Sequence, residues 1–160
     1  MKNTVKFALT AVALVAGSAA FAQAKTPDYT LGFNVGATTD YRFRGLTQTN
    51  YKPALQAGID FSHKSGFYLG AWGSNVSWVK ELNGASKGDL ELDLYGGFKG
   101  EITSGLGFDV GLISYQYIGN DSGEAGTPGA ALFSNATTNE FYLGLSYAMF
   151  TLKYSQSLGD

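Results

Sequence analysis

From residue 29 to residue 44 apolar and polar positions alternate. The odd positions carry Tyr29, Leu31, Phe33, Val35, Ala37, Tyr41 and Phe43, and the even ones Thr30, Gly32, Asn34, Gly36, Thr38, Asp40, Arg42 and Arg44. Successive side chains of a strand point to opposite faces, so a period of two gives one apolar face and one polar face. Strands of soluble sandwiches usually stop after about five or six residues. This run is longer. It predicts a strand that crosses a bilayer at a tilt, for which about 9–11 residues suffice, and projects beyond it.

The pattern recurs six times. Leu55, Ala57, Ile59 and Phe61 alternate with Gln56, Gly58, Asp60 and Ser62, behind a Pro53 placed where a strand tolerates it. Residues 67–76 predict a third strand, with Phe67, Tyr68, Leu69 and Trp72 spread over both faces, which leaves its orientation open. Leu90, Leu92, Leu94 and Phe98 alternate with Glu91, Asp93, Tyr95 and Lys99 in a fourth. Residues 106–118, 140–147 and 150–158 supply three more. The connections alternate too: 45–52 open, 63–66 short, 77–89 long, 100–105 short, 119–138 longest, 148–149 minimal. Outer-membrane barrels join short periplasmic turns to longer extracellular loops, and an N-terminus on the periplasmic side puts every long connection outside. The expected fold is all-β, an antiparallel up-and-down transmembrane β-barrel with about seven strands in this chain.

Composition adds to this picture. Twenty-two Gly, ten Tyr and eleven Phe beside three Pro suit barrel walls and aromatic belts. The absence of Cys removes disulfides and thiolate metal sites, and His63 is the single histidine. Residues 1–24 read as a cleavable signal peptide. Lys2 and Lys6 precede an apolar run over 7–16, and Ala20-Phe21-Ala22 or Ala22-Gln23-Ala24 supplies the cleavage site. That run is well short of the roughly 20 residues of a spanning helix. Residues 25–160 then form one domain. Without Lys2 and Lys6 nine basic and thirteen acidic residues remain, a net charge of about −4, which argues against nucleic acid as a partner.

Residues 39–49 (TDYRFRGLTQT), 53–56 (PALQ), 66–70 (GFYLG), 72–76 (WGSNV) and 91–96 (ELDLYG) together resemble the TorF porin family. The resemblance extends over nearly all of the mature chain. It implies a signal-bearing outer-membrane barrel through which small hydrophilic solutes or ions diffuse passively. Its partners would be outer-membrane lipid, those solutes and the barrel assembly machinery, with no cofactor. The chain stops at Ser157-Leu158-Gly159-Asp160 instead of a terminal aromatic residue, and seven strands is an odd count where bacterial barrels are even. The expectation is therefore the N-terminal part of a longer barrel, of open oligomeric state.

Asp40, Arg42 and Arg44 fall on the polar face of the first strand, Gln56 and Asp60 on that of the second, and Glu91 and Asp93 on that of the fourth. These residues would line a lumen as a charged constriction that selects ions, or fill a narrow barrel with Arg–carboxylate pairs. No enzyme is expected. His63 lies in a short turn, Ser62 and His63 point to opposite faces, and nothing places a nucleophile beside a base. Asp121 and Glu124 lack the dense acidic spacing of a calcium loop. Tyr41, Tyr51, Trp72, Trp78, Tyr115 and Tyr117 fall near strand ends and suit an interfacial girdle, with ordinary loop packing as the alternative. Two other functions stay open. One is a non-conducting barrel with a structural or adhesive role; the other is a soluble lipocalin-like barrel with its apolar face turned inward around a ligand.

Overall fold

A computed structural model describes residues 27–85, 87–119 and 136–159. The signal peptide expected over 1–24, and Asp121 and Glu124, lie outside the described residues.

The elements in chain order are β1 (Tyr29–Thr38), β2 (Arg42–Phe43), β3 (Leu46–Thr47), β4 (Ala54–His63), β5 (Phe67–Asn75), the single-turn α1 (Trp78–Glu81), β6 (Leu90–Thr103), β7 (Leu106–Ile118), β8 (Thr138–Tyr147) and β9 (Phe150–Ser157). Seven of the strands form one sheet in the order β1-β4-β5-β6-β7-β8-β9, every neighbouring pair antiparallel. The edge strands β1 and β9 do not pair with each other, so this sheet is not closed. Residues 64–66, 104–105 and 148–149 make tight turns at one end of the sheet, and the longer connections that follow Thr38, Asn75 and Ile118 leave from the other.

Register sorts the side chains, because partners opposite one another share a face. Glu91 stands beside Ser74 and Tyr117, and Asp93 beside Trp72 and Tyr115. Phe67 stands beside Phe98, and Leu69 beside Phe61. The open orientation of the third strand is thereby resolved, with Tyr68 and Trp72 on the polar face and Phe67 and Leu69 on the apolar one. Burial runs opposite to that of a soluble sheet. On the apolar face Phe33 is 74% exposed, Val35 79% and Leu152 69%, while on the polar face Ser74 is 1% exposed, Glu91 2% and Asp93 7%.

Two features hold the polar face together. Tyr68 donates to Asp109 Oδ1 at 2.5 Å and meets the hydroxyl of Tyr142, three strands away. The rings can lie across the sheet because Gly97 and Gly111 stand beneath them. A Cβ on Gly111 would collide with the Tyr142 hydroxyl and come within 2.7 Å of the Gly96 carbonyl oxygen. The second feature is a cap over the end with the long connections, where Val76, Val79, Ala85 and Ala136 form a buried cluster with Tyr41, Trp78 and Tyr117 packed against it. Burying Val79 fully contributes about 1.5–3 kcal/mol.

The first strand ends at Thr38, six residues before Arg44, so Asp40, Arg42 and Arg44 do not share its polar face. The cause is local hydrogen bonding. The Thr38 hydroxyl donates to the Asp40 carbonyl at 3.2 Å, and the Asp40 carboxylate accepts from Thr47 Oγ1 at 2.5 Å. Between them β2 and β3 fold into a miniature hairpin. Its two central residues, Arg44 at φ 48° and Gly45 at φ 87°, both adopt the left-handed conformation that two-residue hairpin turns require.

Candidate functional site

The cap positions the chemistry. The Gln48 carbonyl accepts from Ser77 N at 2.8 Å and Trp78 N at 3.2 Å, so the first long connection holds the amide groups that start α1. Residues 45–52 are thus tied down and not open; Gln48 is 8% exposed and Thr49 2%. Their anchoring carries Tyr41 onto the polar face. There its hydroxyl donates to Glu91 Oε1 at 2.8 Å, and its ring meets Trp72 edge-on at 5.5 Å. Burial, aided by the Glu91 charge, pushes the Tyr41 hydroxyl far above the usual phenol range, which keeps it a donor.

The hairpin tip reaches further. Arg44 Nη2 contacts Glu140 Oε1 at 3.2 Å and Oε2 at 3.3 Å, and Phe43 meets Tyr115 edge-on at 5.7 Å. Arg42 stays at the surface, paired with Asp40 through Nε at 2.7 Å and stacked over Tyr51 at 5.3 Å. The Thr47 hydrogen bond, with the Arg42 guanidinium beside it, holds the Asp40 carboxyl below its usual range despite the opposing effect of burial.

The seven residues expected to line a lumen or form internal pairs separate into two groups. Gln56, Asp60, Glu91 and Asp93 lie on the polar face. Gln56 shares a rung with Ser74 and Glu91, whereas Asp60 lies deeper and accepts from Tyr95. Asp40, Arg42 and Arg44 belong to the hairpin above, and neither arginine pairs with Glu91 or Asp93. Glu140, the actual partner of Arg44, was not among the expected residues. The sequence does place it on the polar side of its strand, and that alternation is the signal that could have found it. Of the aromatic residues expected in a girdle, Trp72, Tyr115 and Tyr117 lie on the polar face, and Tyr41 and Trp78 pack into the cap; Tyr51 is 70% exposed. Loop packing, not lipid contact, accounts for those five.

A cavity of about 570 Å³ opens at this end, lined among others by Phe43, Trp78, Glu91, Tyr115, Tyr117 and Glu140. Toward the tight turns the polar face carries both signs: Lys99 lies over Tyr68 at 5.5 Å and Lys153 over Tyr142 at 4.5 Å, with Asp109 opposite Lys99 in the register. Near them the His63 ring contacts Ser65 Oγ at 2.9 Å within its turn.

These features define an antiparallel β-meander with an exposed apolar face and a capped, charged polar face. The chain belongs to Gcw_chp, a family of bacterial proteins of unknown function, which matches residues 22–160. No curated protein and no solved structure matches it.

Proposed function

We propose that this chain forms wall strands of an outer-membrane β-barrel, and that its polar face borders a wet interior through which small hydrophilic solutes or ions pass. The observation that carries this reading lies within β6. Leu90 and Leu94 are 46% and 48% exposed, while Glu91 and Asp93 between them are 2% and 7% exposed. In water such an arrangement leaves apolar surface unburied along the whole sheet, against the main driving force of folding. In a bilayer the same surface meets lipid, and the polar groups keep each other's company on the inside.

Dimensions agree. The strands of the seven-stranded sheet run from 8 to 14 residues, against the roughly 9–11 that cross a membrane at a tilt. The grouping of tight turns at one end and long connections at the other is the asymmetry of outer-membrane barrels. The resemblance of residues 39–49 and 72–76 to the TorF porin family points the same way. A lipocalin-like barrel would need its apolar face enclosed, and here that face is the exposed one. A non-conducting barrel shares the same wall and differs in whether the cap shuts the lumen.

Planar-bilayer recording of the full-length protein tests the reading. Stepwise conductance is expected. A folded, membrane-embedded protein that never conducts would leave the structural or adhesive barrel, and a protein soluble without detergent would remove both.

A further inference from the structure

At the capped end every acidic side chain but two has a cationic partner among the described residues. Asp40 pairs with Arg42, Glu140 with Arg44, Glu81 with Lys52 and Asp89 with Lys80. Glu91 and Asp93 do not. They are two residues apart on one face of β6, about 7 Å along the strand, and both are more than nine-tenths buried. Tyr41 donates to Glu91 Oε1 and the Tyr117 hydroxyl approaches the same carboxylate, yet among the described residues Glu91 Oε2 lacks a well-aligned donor and Asp93 Oδ1 is buried with no hydrogen-bond partner. Buried carboxylates left this way are costly, and a cation that arrives with its own N–H donors offsets that cost.

The surroundings say which kind of cation. Register sets Trp72 and Tyr115 on either side of Asp93, and Tyr117 beside Glu91. Trp78 meets Tyr117 edge-on at 5.1 Å. The 570 Å³ cavity reaches Glu91 between Phe43, Trp78, Tyr115 and Tyr117. A hard metal ion wants six or more oxygen ligands, and among the described residues no three acidic or histidine side chains converge to hold one. Aromatic rings instead attract ammonium groups through their faces and bury the alkyl part of an organic cation. We infer that this cavity binds a small alkylammonium ion, its N–H groups donating to Glu91 and its carbon chain lying against Tyr115, Tyr117 and Trp78; Arg44 also lines the cavity but is paired with Glu140, and Asp93 lies two residues further along β6. The inference rests on the polar face being reachable from water but not on conduction, so binding and transport can fail separately.

The chain has two tryptophans: Trp78 lines the cavity, and Trp72 stands beside Asp93 on the same face of the sheet. Titrating the full-length protein in detergent with propylammonium chloride, at ionic strength held with sodium chloride, should give a saturable change in tryptophan emission. Glu91→Gln should weaken the apparent affinity tenfold or more and Asp93→Asn severalfold, whereas Glu101→Gln, toward the tight turns, should leave it unchanged. If Glu91→Gln does not fold, Tyr117→Leu carries the same expectation of weaker binding. A response that does not saturate, an equal response to sodium or calcium, or unaltered affinity in Glu91→Gln or Tyr117→Leu would overturn the inference.

Discussion

Arg44 and Glu140 meet at 3.2 Å although 96 residues separate them, one at the tip of a loop hairpin and the other near the start of β8. The contact crosses from the first long connection to the far side of the sheet, and it acts as a latch on the cap. Arg44 is 63% exposed at its side chain, so solvent screens the pair, and a double-mutant cycle with Arg44→Ala and Glu140→Gln should return a coupling of about 0.5–1 kcal/mol. Chemical denaturation of the four proteins in micelles measures it. A coupling near zero would mean that Phe43 against Tyr115 holds the hairpin unaided.

The two faces can be told apart by charge insertion. Leu143→Arg and Leu94→Arg place a cation on the exposed apolar face and should cost about 2–4 kcal/mol of assembly in a membrane. Gln56→Arg, on the polar face beside Ser74, should be milder. Yields of membrane-embedded, heat-modifiable protein compare them. The reverse order would turn the sheet inside out and favour a soluble barrel.

Gly111→Ala should destabilise the sheet by about 1–3 kcal/mol, the usual range for overpacking. The new methyl group would strike the Tyr142 hydroxyl and the Gly96 carbonyl, the latter fixed in the sheet. A shifted urea midpoint with an unchanged slope is the expected signature. A neutral outcome would show that Tyr68 and Tyr142 can separate at little cost.

The hairpin should respond to acid through Asp40. Its carboxyl titrates below the ordinary 3.8 because Thr47 donates to it and Arg42 lies beside it. A depressed carboxyl stabilises the folded hairpin above its unfolded value, and that contribution is lost as pH falls through the lowered folded value. Thr47→Val removes the donor and should move the Asp40 titration upward, followed by carboxyl NMR. No movement would assign the depression to Arg42.

If the full-length protein forms a conducting barrel, Glu91→Gln with Asp93→Asn should shift its reversal potential toward anion preference. Removing Arg42 and Arg44 should have a weaker effect that fades with salt, since both guanidinium groups sit in the exposed hairpin. Equal and opposite shifts from the two pairs would contradict the placement of the arginines above the polar face.

Much of the sheet is legible in the sequence because each strand has unlike faces. β6 is the clearest case, since Leu90 to Phe98 alternate with acids, Tyr95 and Lys99. Residues 67–75 resisted reading because Gly70, Ala71 and Gly73 carry no polarity and aromatic residues occupy both sides. The alternation overstates the length of the first strand for a related reason: Asp40, Arg42 and Arg44 keep the period of two through a loop. Arg44-Gly45 was the local clue to a turn, though arginine rarely takes the positive φ that it has there. The link from Tyr41 to Glu91 was out of reach, because it depends on two connections folding against each other through Gln48. The length of a loop says nothing about what it is tied to.

Within the seven-stranded sheet, each strand pairs with the one that precedes it there and the one that follows. The two-residue turns before β7 and β9 and the three-residue turn before β5 bring those partners together at once, and only the longer connections delay a pairing. Loop closure of this kind costs little entropy, so the sheet can grow by zipping, one hairpin after another, without a distant nucleus. Such growth always leaves one finished rim and one advancing rim whose backbone groups still seek partners. A chain built this way is vulnerable for as long as it is incomplete, and its order of synthesis is also its order of shelter.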